Sequence, residues 1–171
     1  MGLRQKKDRF IAKLLYKYPP LFNRWVESST FRVFRDSPWT QLDKDVTQCR
    51  LALITTGGIH LRLQPPFNMT DPAGDPTFRE IPADASPTDI VITHNYYEHS
   101  GADKDINIML PIERVFDLKQ AGDIRDVNHR HFSFMGHIQH HHIDTLIEET
   151  APQVATALKA DKVDIAILTP A

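Results

Sequence analysis

Histidine dominates the residues able to do chemistry in this chain. Of its 9 histidines, eight fall between His94 and His142, and His60 stands apart. They form three clusters: Thr93-His94-Asn95-Tyr96-Tyr97-Glu98-His99, His129-Arg130-His131-Phe132-Ser133-Phe134-Met135-Gly136-His137, and His140-His141-His142. Imidazole titrates near neutrality, so it serves as acid or base, and its neutral form ligates zinc, iron, copper or nickel. A metal site is one reading, but the spacing gives it little support. His94 and His99 are five apart, neither an i,i+4 helical pair nor the His-x-x-x-His of a zinc helix. Neighbouring histidines are expected to point different ways on a helix or a strand. Residues 140–142 therefore read as a solvated run ahead of a helix, and no metal is expected. His94, His99, His131 and His137 are the candidate catalytic residues, with packing as the competing role for each.

Thr55-Thr56-Gly57-Gly58-Ile59-His60 is the candidate substrate-binding segment. Glycines after a buried strand let backbone approach a ligand closely. The segment lacks the Gly-x-Gly-x-x-Gly spacing, and Gln64-Pro65-Pro66 leaves little room for a phosphate-binding helix. A sharp turn is the alternative. Cys49, the single thiol, has no Cys-x-x-Cys partner and reads as a small buried hydrophobe.

Three strands must carry these residues: 50–56, closed by Gly57-Gly58; 89–94, ending at His94; and 163–169, closed by Pro170. The first is almost wholly apolar, as in a parallel sheet buried on both faces. Pro111 opens a helix with Ile112, Val115, Phe116 and Leu118, which stops before Gly122. A second helix covers about 144–160, with a kink or break expected at Pro152. This alternation predicts an α/β fold, a mostly parallel sheet with flanking helices. Ligands in such sheets gather at the carboxyl edge of the strands, where Thr55–His60 and His94 fall. Residues 65–87 hold six of the 12 prolines and read as a long loop, pinned by Phe67 and Phe78.

Composition excludes several classes. The 171 residues include 20 Lys+Arg and 22 Asp+Glu, giving a formal charge of -2 and no global case for nucleic-acid binding. A hydrophobic content of 41% can build a core. One cysteine cannot staple a secreted scaffold internally. No stretch approaches the roughly 20 apolar residues of a membrane span. The basic N-terminus lacks a signal peptide's unbroken apolar run, because Lys13 and Lys17 interrupt it. A cytoplasmic protein without membrane attachment is expected. Phe10, Ile11, Leu14, Leu15 and Tyr18 share a helical face, and Pro19-Pro20 ends that helix. A short helix at 21–27 should turn Phe22, Trp25 and Val26 inward, forming a hairpin on the main domain. A partner-docking or membrane-surface helix is the alternative.

Longer phrases carry a resemblance. They are Ala52-Leu53-Ile54-Thr55-Thr56-Gly57-Gly58-Ile59-His60, Gln64-Pro65-Pro66-Phe67 and Gly74-Asp75-Pro76-Thr77-Phe78-Arg79-Glu80-Ile81-Pro82. Ile92-Thr93-His94 with Tyr97-x-His99, Ala102-Asp103-Lys104-Asp105 and Pro111-Ile112-Glu113-Arg114 follow. Arg130-His131-Phe132-Ser133-Phe134-Met135-Gly136-His137-Ile138 and Leu158-Lys159-Ala160-Asp161 complete the series. In this order, over roughly residues 36 to 171, the chain resembles the glycine/sarcosine/betaine/D-proline reductase family, selenoprotein B type. The chain is expected to divide into an N-terminal helical segment and connector (1–45) and an α/β reductase-like domain (46–171).

The resemblance further implies an oxidoreductase subunit for reductive C–N cleavage of a small amine or amino acid, acting with reductase partner subunits in an oligomer. The family's nucleophile, a Sec- or Cys-x-x-Cys, is expected just beyond Ala171, and a pyruvoyl group on a partner. This chain is expected to be C-terminally truncated there and inactive alone. A UGA codon read as stop is the favoured explanation, against a naturally split polypeptide or a redox-dead scaffold. The codon after Ala171 discriminates among them. Truncation should leave an exposed apolar patch or oligomer interface beside residues 163–171. A non-catalytic binding or assembly subunit, or a His-ligated metal-binding protein, are the competing classes.

Overall fold

The computed structural model describes residues 3–28 and 40–170. They fall into two compact units: one holds the two N-terminal helices together with Asn95–Glu98, and the other holds the remainder from Lys44 onward.

In the first unit, α1 (Leu3–Lys17) and α2 (Pro19–Ser28) meet at the expected proline pair, which opens α2. Proline suits that first-turn position because its missing N–H has no helical partner there. Phe22 and Trp25 are exposed, as are Phe10, Ile11 and Leu14 of α1.

The second unit is built on β1 (Arg50–Thr55). Leu51, Ala52 and Leu53 are all buried, so both faces are covered, as the apolar run predicts. β7 (Ile165–Thr169) pairs parallel with β1 from Leu51↔Ile165 to Thr55↔Thr169. On the other side of β1 lie β5 (Asp126–Val127) and β6 (Arg130–Ser133), both parallel to it. β3 (Arg79–Pro82) adds antiparallel to β6. A separate antiparallel pair joins β2 (Ile59–Leu61) and β4 (Ile90–Ile92). The fold is α/β with a mixed, mostly parallel sheet.

Residues 65–87 are therefore not one continuous loop, since β3 lies within them. Pro82 is tolerated because β3 is an edge strand. The rest of the segment is pinned as expected. Phe67 is buried, and the Arg79 guanidinium sits 4.4 Å from its ring centroid. Phe78 packs against Phe132 and Phe134, with ring centroids 5.8 Å away in each case.

α3 (Ile112–Ala121) follows Pro111 and ends at Gly122, whose N–H caps the Leu118 and Lys119 carbonyls. The later helix runs on past Pro152, with a change of hydrogen-bond pattern in place of the expected kink or break. α4 (His141–Thr145) passes through one π-turn (Leu146–Thr150) into α5 (Ala151–Ala160). Pro152 cannot donate an N–H, and its ring crowds the preceding turn. The Ala151 N–H reaches back five residues to the Leu146 carbonyl, which accommodates the change. α5 lays Val154 and Leu158 on Ala52, Phe132 and Phe134 to form a core. β7 forms the other edge of the sheet, and Leu168 is 69% exposed there.

Candidate functional site

The carboxyl ends of β1, β6 and β7 lie side by side, as the parallel register requires. The Thr56 N–H donates to the Thr169 carbonyl at 3.1 Å, and the Phe134 N–H donates to the Thr55 carbonyl at 2.8 Å. Gly57 forms an isolated bridge with Met135, and the Gly58 N–H reaches the Phe134 carbonyl at 2.9 Å. The double glycine thus lets the chain leave β1 while still bonded to the segment after β6. Gly58 has φ 67°, and a Cβ there would sit 2.7 Å from the Thr93 carbonyl oxygen. Only glycine fits that approach without strain.

The same approach delivers His94 to the edge. Its ring carbon lies 3.3 Å from the position a Gly58 Cβ would take. A Cβ on Gly136 would meet the Thr56 carbonyl at 3.1 Å, His94 Nε2 at 3.5 Å and Thr56 Oγ1 at 3.6 Å. Thr56, Gly58, His94 and Gly136 therefore converge from three chain segments. His94 is buried, and burial foremost, with repulsion from His137 and His99, pushes its pKa down to about 3. It is a neutral imidazole at pH 7.

His99 is organised differently. Residues 99–103 form one turn, closed by the Asp103 N–H on the His99 carbonyl at 2.8 Å. That turn sets His99 Nδ1–H on the Asp103 carboxylate at 2.9 Å. The carboxylate fixes the tautomer with the proton on Nδ1. Asp103 carries no role in the sequence reading; its i,i+4 spacing from His99 is the signal that finds it. His137 donates from Nε2 to the Pro72 carbonyl at 2.9 Å, which ties the segment after β6 to the loop containing Asp71.

His131 sits within the sheet. Five residue steps from Val127 to Phe132 run beside three from Leu51 to Ile54, so β5 and β6 are one strand interrupted by a two-residue bulge. The bulge deprives Leu53 of a main-chain partner. His131 Nδ1 takes the Leu53 N–H instead, at 3.1 Å. Its Nε2 is buried with no hydrogen-bond partner among the described residues. Burial foremost, then the charge of His129, lowers its pKa to about 4.

Of the proposed substrate-binding residues, Thr56, Gly57 and Gly58 line the edge. Thr55 is fully buried and its Oγ1 accepts the Gly57 N–H at 3.1 Å, so it shapes the turn. His60 lies in the β2–β4 pair. Its Nδ1–H donates to the Leu61 carbonyl and its Nε2 accepts from the Thr93 hydroxyl, both at 2.8 Å. Burial is the main cause of its lowered pKa.

His141 and His142 correct the expectation that neighbouring histidines diverge. They open α4 rather than precede it, and their ring centroids are 4.1 Å apart. In a first helical turn, both long side chains can lean toward a loop packed across the helix start. Cys49 is buried, with its Sγ 3.3 Å from the Asp45 carbonyl.

No described helix is long and apolar enough to cross a membrane. No solved structure matches the chain. A D-proline reductase subunit gamma from Acetoanaerobium sticklandii is 36% identical over 131 residues, covering 77% of this chain and 52% of that protein. The chain thus spans about half the length of this relative. The family model for glycine/sarcosine/betaine reductase selenoprotein B matches residues 30–171, which include every strand and histidine of the edge just described. On that match, the chain belongs to the glycine/sarcosine/betaine reductase selenoprotein B family.

Proposed function

We propose that this chain forms the strand-edge wall of the active site in a reductase subunit that cleaves a C–N bond of a small amine or amino acid. The observation that carries this reading is the match to a family of reductases over residues 30–171. Overall, for a primary amine, two electrons and two protons convert R–NH2 to R–H and NH3; a secondary amine R–NHR′ gives R–H and R′NH2, and a quaternary ammonium takes up one proton and leaves as the tertiary amine. A dithiol supplies the electrons and becomes a disulfide.

The edge sets no negative charge against an anionic nucleophile. Thr56, Gly57, Gly58 and Gly136 carry no charge, and His94 is held neutral by burial. A selenolate or thiolate would supply the electron pair that displaces the amine. A residue following β7 would emerge next to Thr56, since the Thr169 carbonyl already accepts the Thr56 N–H. That is the proposed place of a selenocysteine or cysteine nucleophile. The glycines leave room for substrate against the main chain. His94 offers a neutral hydrogen-bonding group, and His99, oriented by Asp103, protonates the departing nitrogen. His137 holds the neighbouring loop, and His131 holds β1 in register. A pyruvoyl group belongs to a partner subunit in this scheme, and the assembly is an oligomer in the cytoplasm.

The test is His99→Gln in the complete reductase assembly. The expected result is a kcat lowered roughly 10²–10⁴-fold with KM changed far less. A wild-type kcat would remove His99 from the proton path.

A further inference from the structure

Asp71, His141 and His142 lie outside the edge described above and have no part in the proposed reaction. One ligand atom from each lies within 4.8 Å of the others. In the metal-free arrangement, His142 Nε2–H donates to Asp71 Oδ2 at 3.0 Å. Asp71 Oδ1 is held by the Ala73 N–H at 2.8 Å.

The two segments that supply the ligands are locked together before any ion arrives. The Gln139 N–H donates to the Ala73 carbonyl at 2.8 Å, and Gly74 bridges Ile138. His137 holds the Pro72 carbonyl. Gly74 has φ 92°, and a Cβ there would lie only 1.6 Å from the His137 carbonyl oxygen. Immediately before the pair, His140 adopts φ 53°, a region that non-glycine residues rarely occupy. Such strain persists only where surrounding structure fixes it, and it tends to accompany function.

We propose that Asp71, His141 and His142 bind a divalent first-row transition-metal ion, with water completing its coordination. Two imidazoles and one carboxylate are the donors that zinc, iron, cobalt and nickel accept. Magnesium and calcium prefer oxygen-only shells. Three protein ligands leave at least one position open. On binding, the His142 Nε2 lone pair bonds the ion, and the proton it carried moves to Nδ1. The hydrogen bond to Asp71 is replaced by two bonds to the metal. The ion would then fasten the loop at Asp71 to the start of α4.

The test uses the full-length subunit, purified without a histidine tag and stripped with chelator. Calorimetric titration with Zn2+ should give one ion per chain in its tightest step. Asp71→Asn and His142→Gln should each weaken that step roughly 10–100-fold or more, whereas His140→Asn should keep it. If the variants misfold, Co2+ added to the wild type provides the check. An intense visible absorption of four- or five-coordinate Co2+, abolished by Zn2+, supports the site. A spectrum no different from aqueous Co2+, a stoichiometry far below one, or unchanged affinity in both folded ligand variants would overturn it.

Discussion

The burial of His131 couples the sheet to pH. Its folded pKa of about 4 lies below the unfolded value of 6.5, so the unfolded chain binds the proton more readily. Stability from this group is complete above pH 6.5 and is lost as pH falls toward 4, by about 1.4 kcal/mol per pH unit. His131→Ala should cost about 1–3 kcal/mol at pH 7, because the buried Leu53 N–H loses its acceptor. It should also flatten the pH dependence of urea unfolding between pH 6.5 and 4.5. Equal slopes in variant and wild type would contradict this account. Histidine type and position drew attention to the right stretches of sequence, but not to the different tasks of each ring. His131 fills a gap left by a bulge, and a bulge needs a partner strand before it can be seen. Asp103 was legible through its spacing alone, once residues 99–103 are known to make a turn.

Elements were legible in proportion to how apolar they are. β1 reads as a strand because Leu51, Ala52, Leu53 and Ile54 leave little else possible. β5 and β6 are not legible as strands because Asn128, His129, Arg130 and His131 break the apolar pattern. Two of them are held by Asp161: Arg130 forms a two-point bond with it at 2.7 and 2.9 Å, and the Asn128 side-chain amide donates to the same carboxylate at 3.0 Å. β3 hid among prolines for a similar reason, since only an edge strand accommodates Pro82. The dock between the loop at Asp71 and the segment after β6 depends on Gly74. Gly74→Ala must move the His137 carbonyl or the loop itself. The expected cost is about 1–3 kcal/mol in denaturant unfolding, with loss of the tight Zn2+ step. Wild-type stability in this variant would show that the dock yields easily.

At the scale of the whole molecule, the core of the second unit lies between β1, β6 and α5, and β7 is its exposed margin. Leu53 is fully buried, whereas Leu168 is 69% exposed. Leu53→Ala should cost about 2–5 kcal/mol in chemical unfolding. Leu168→Ala should stay within roughly 0.5 kcal/mol of wild type. Equal effects would misplace the core. Phrases spread over the chain made the family legible before the fold was known, because such motifs record backbone and site requirements together. The convergence of Thr56, His94 and Gly136 is not legible in the sequence, since it depends on the parallel register of β1 with β6 and on the antiparallel pairing of β2 with β4. The central claim is that this edge serves reductive C–N cleavage. Its most direct measurement is product analysis by mass spectrometry of the complete reductase assembly, given a dithiol with glycine, sarcosine, betaine or D-proline. At least one substrate should yield the C–N-cleaved product with one disulfide formed per turnover, and His99→Gln should suppress it. No cleavage of any of the four by an assembly containing every subunit and its nucleophile would contradict the account.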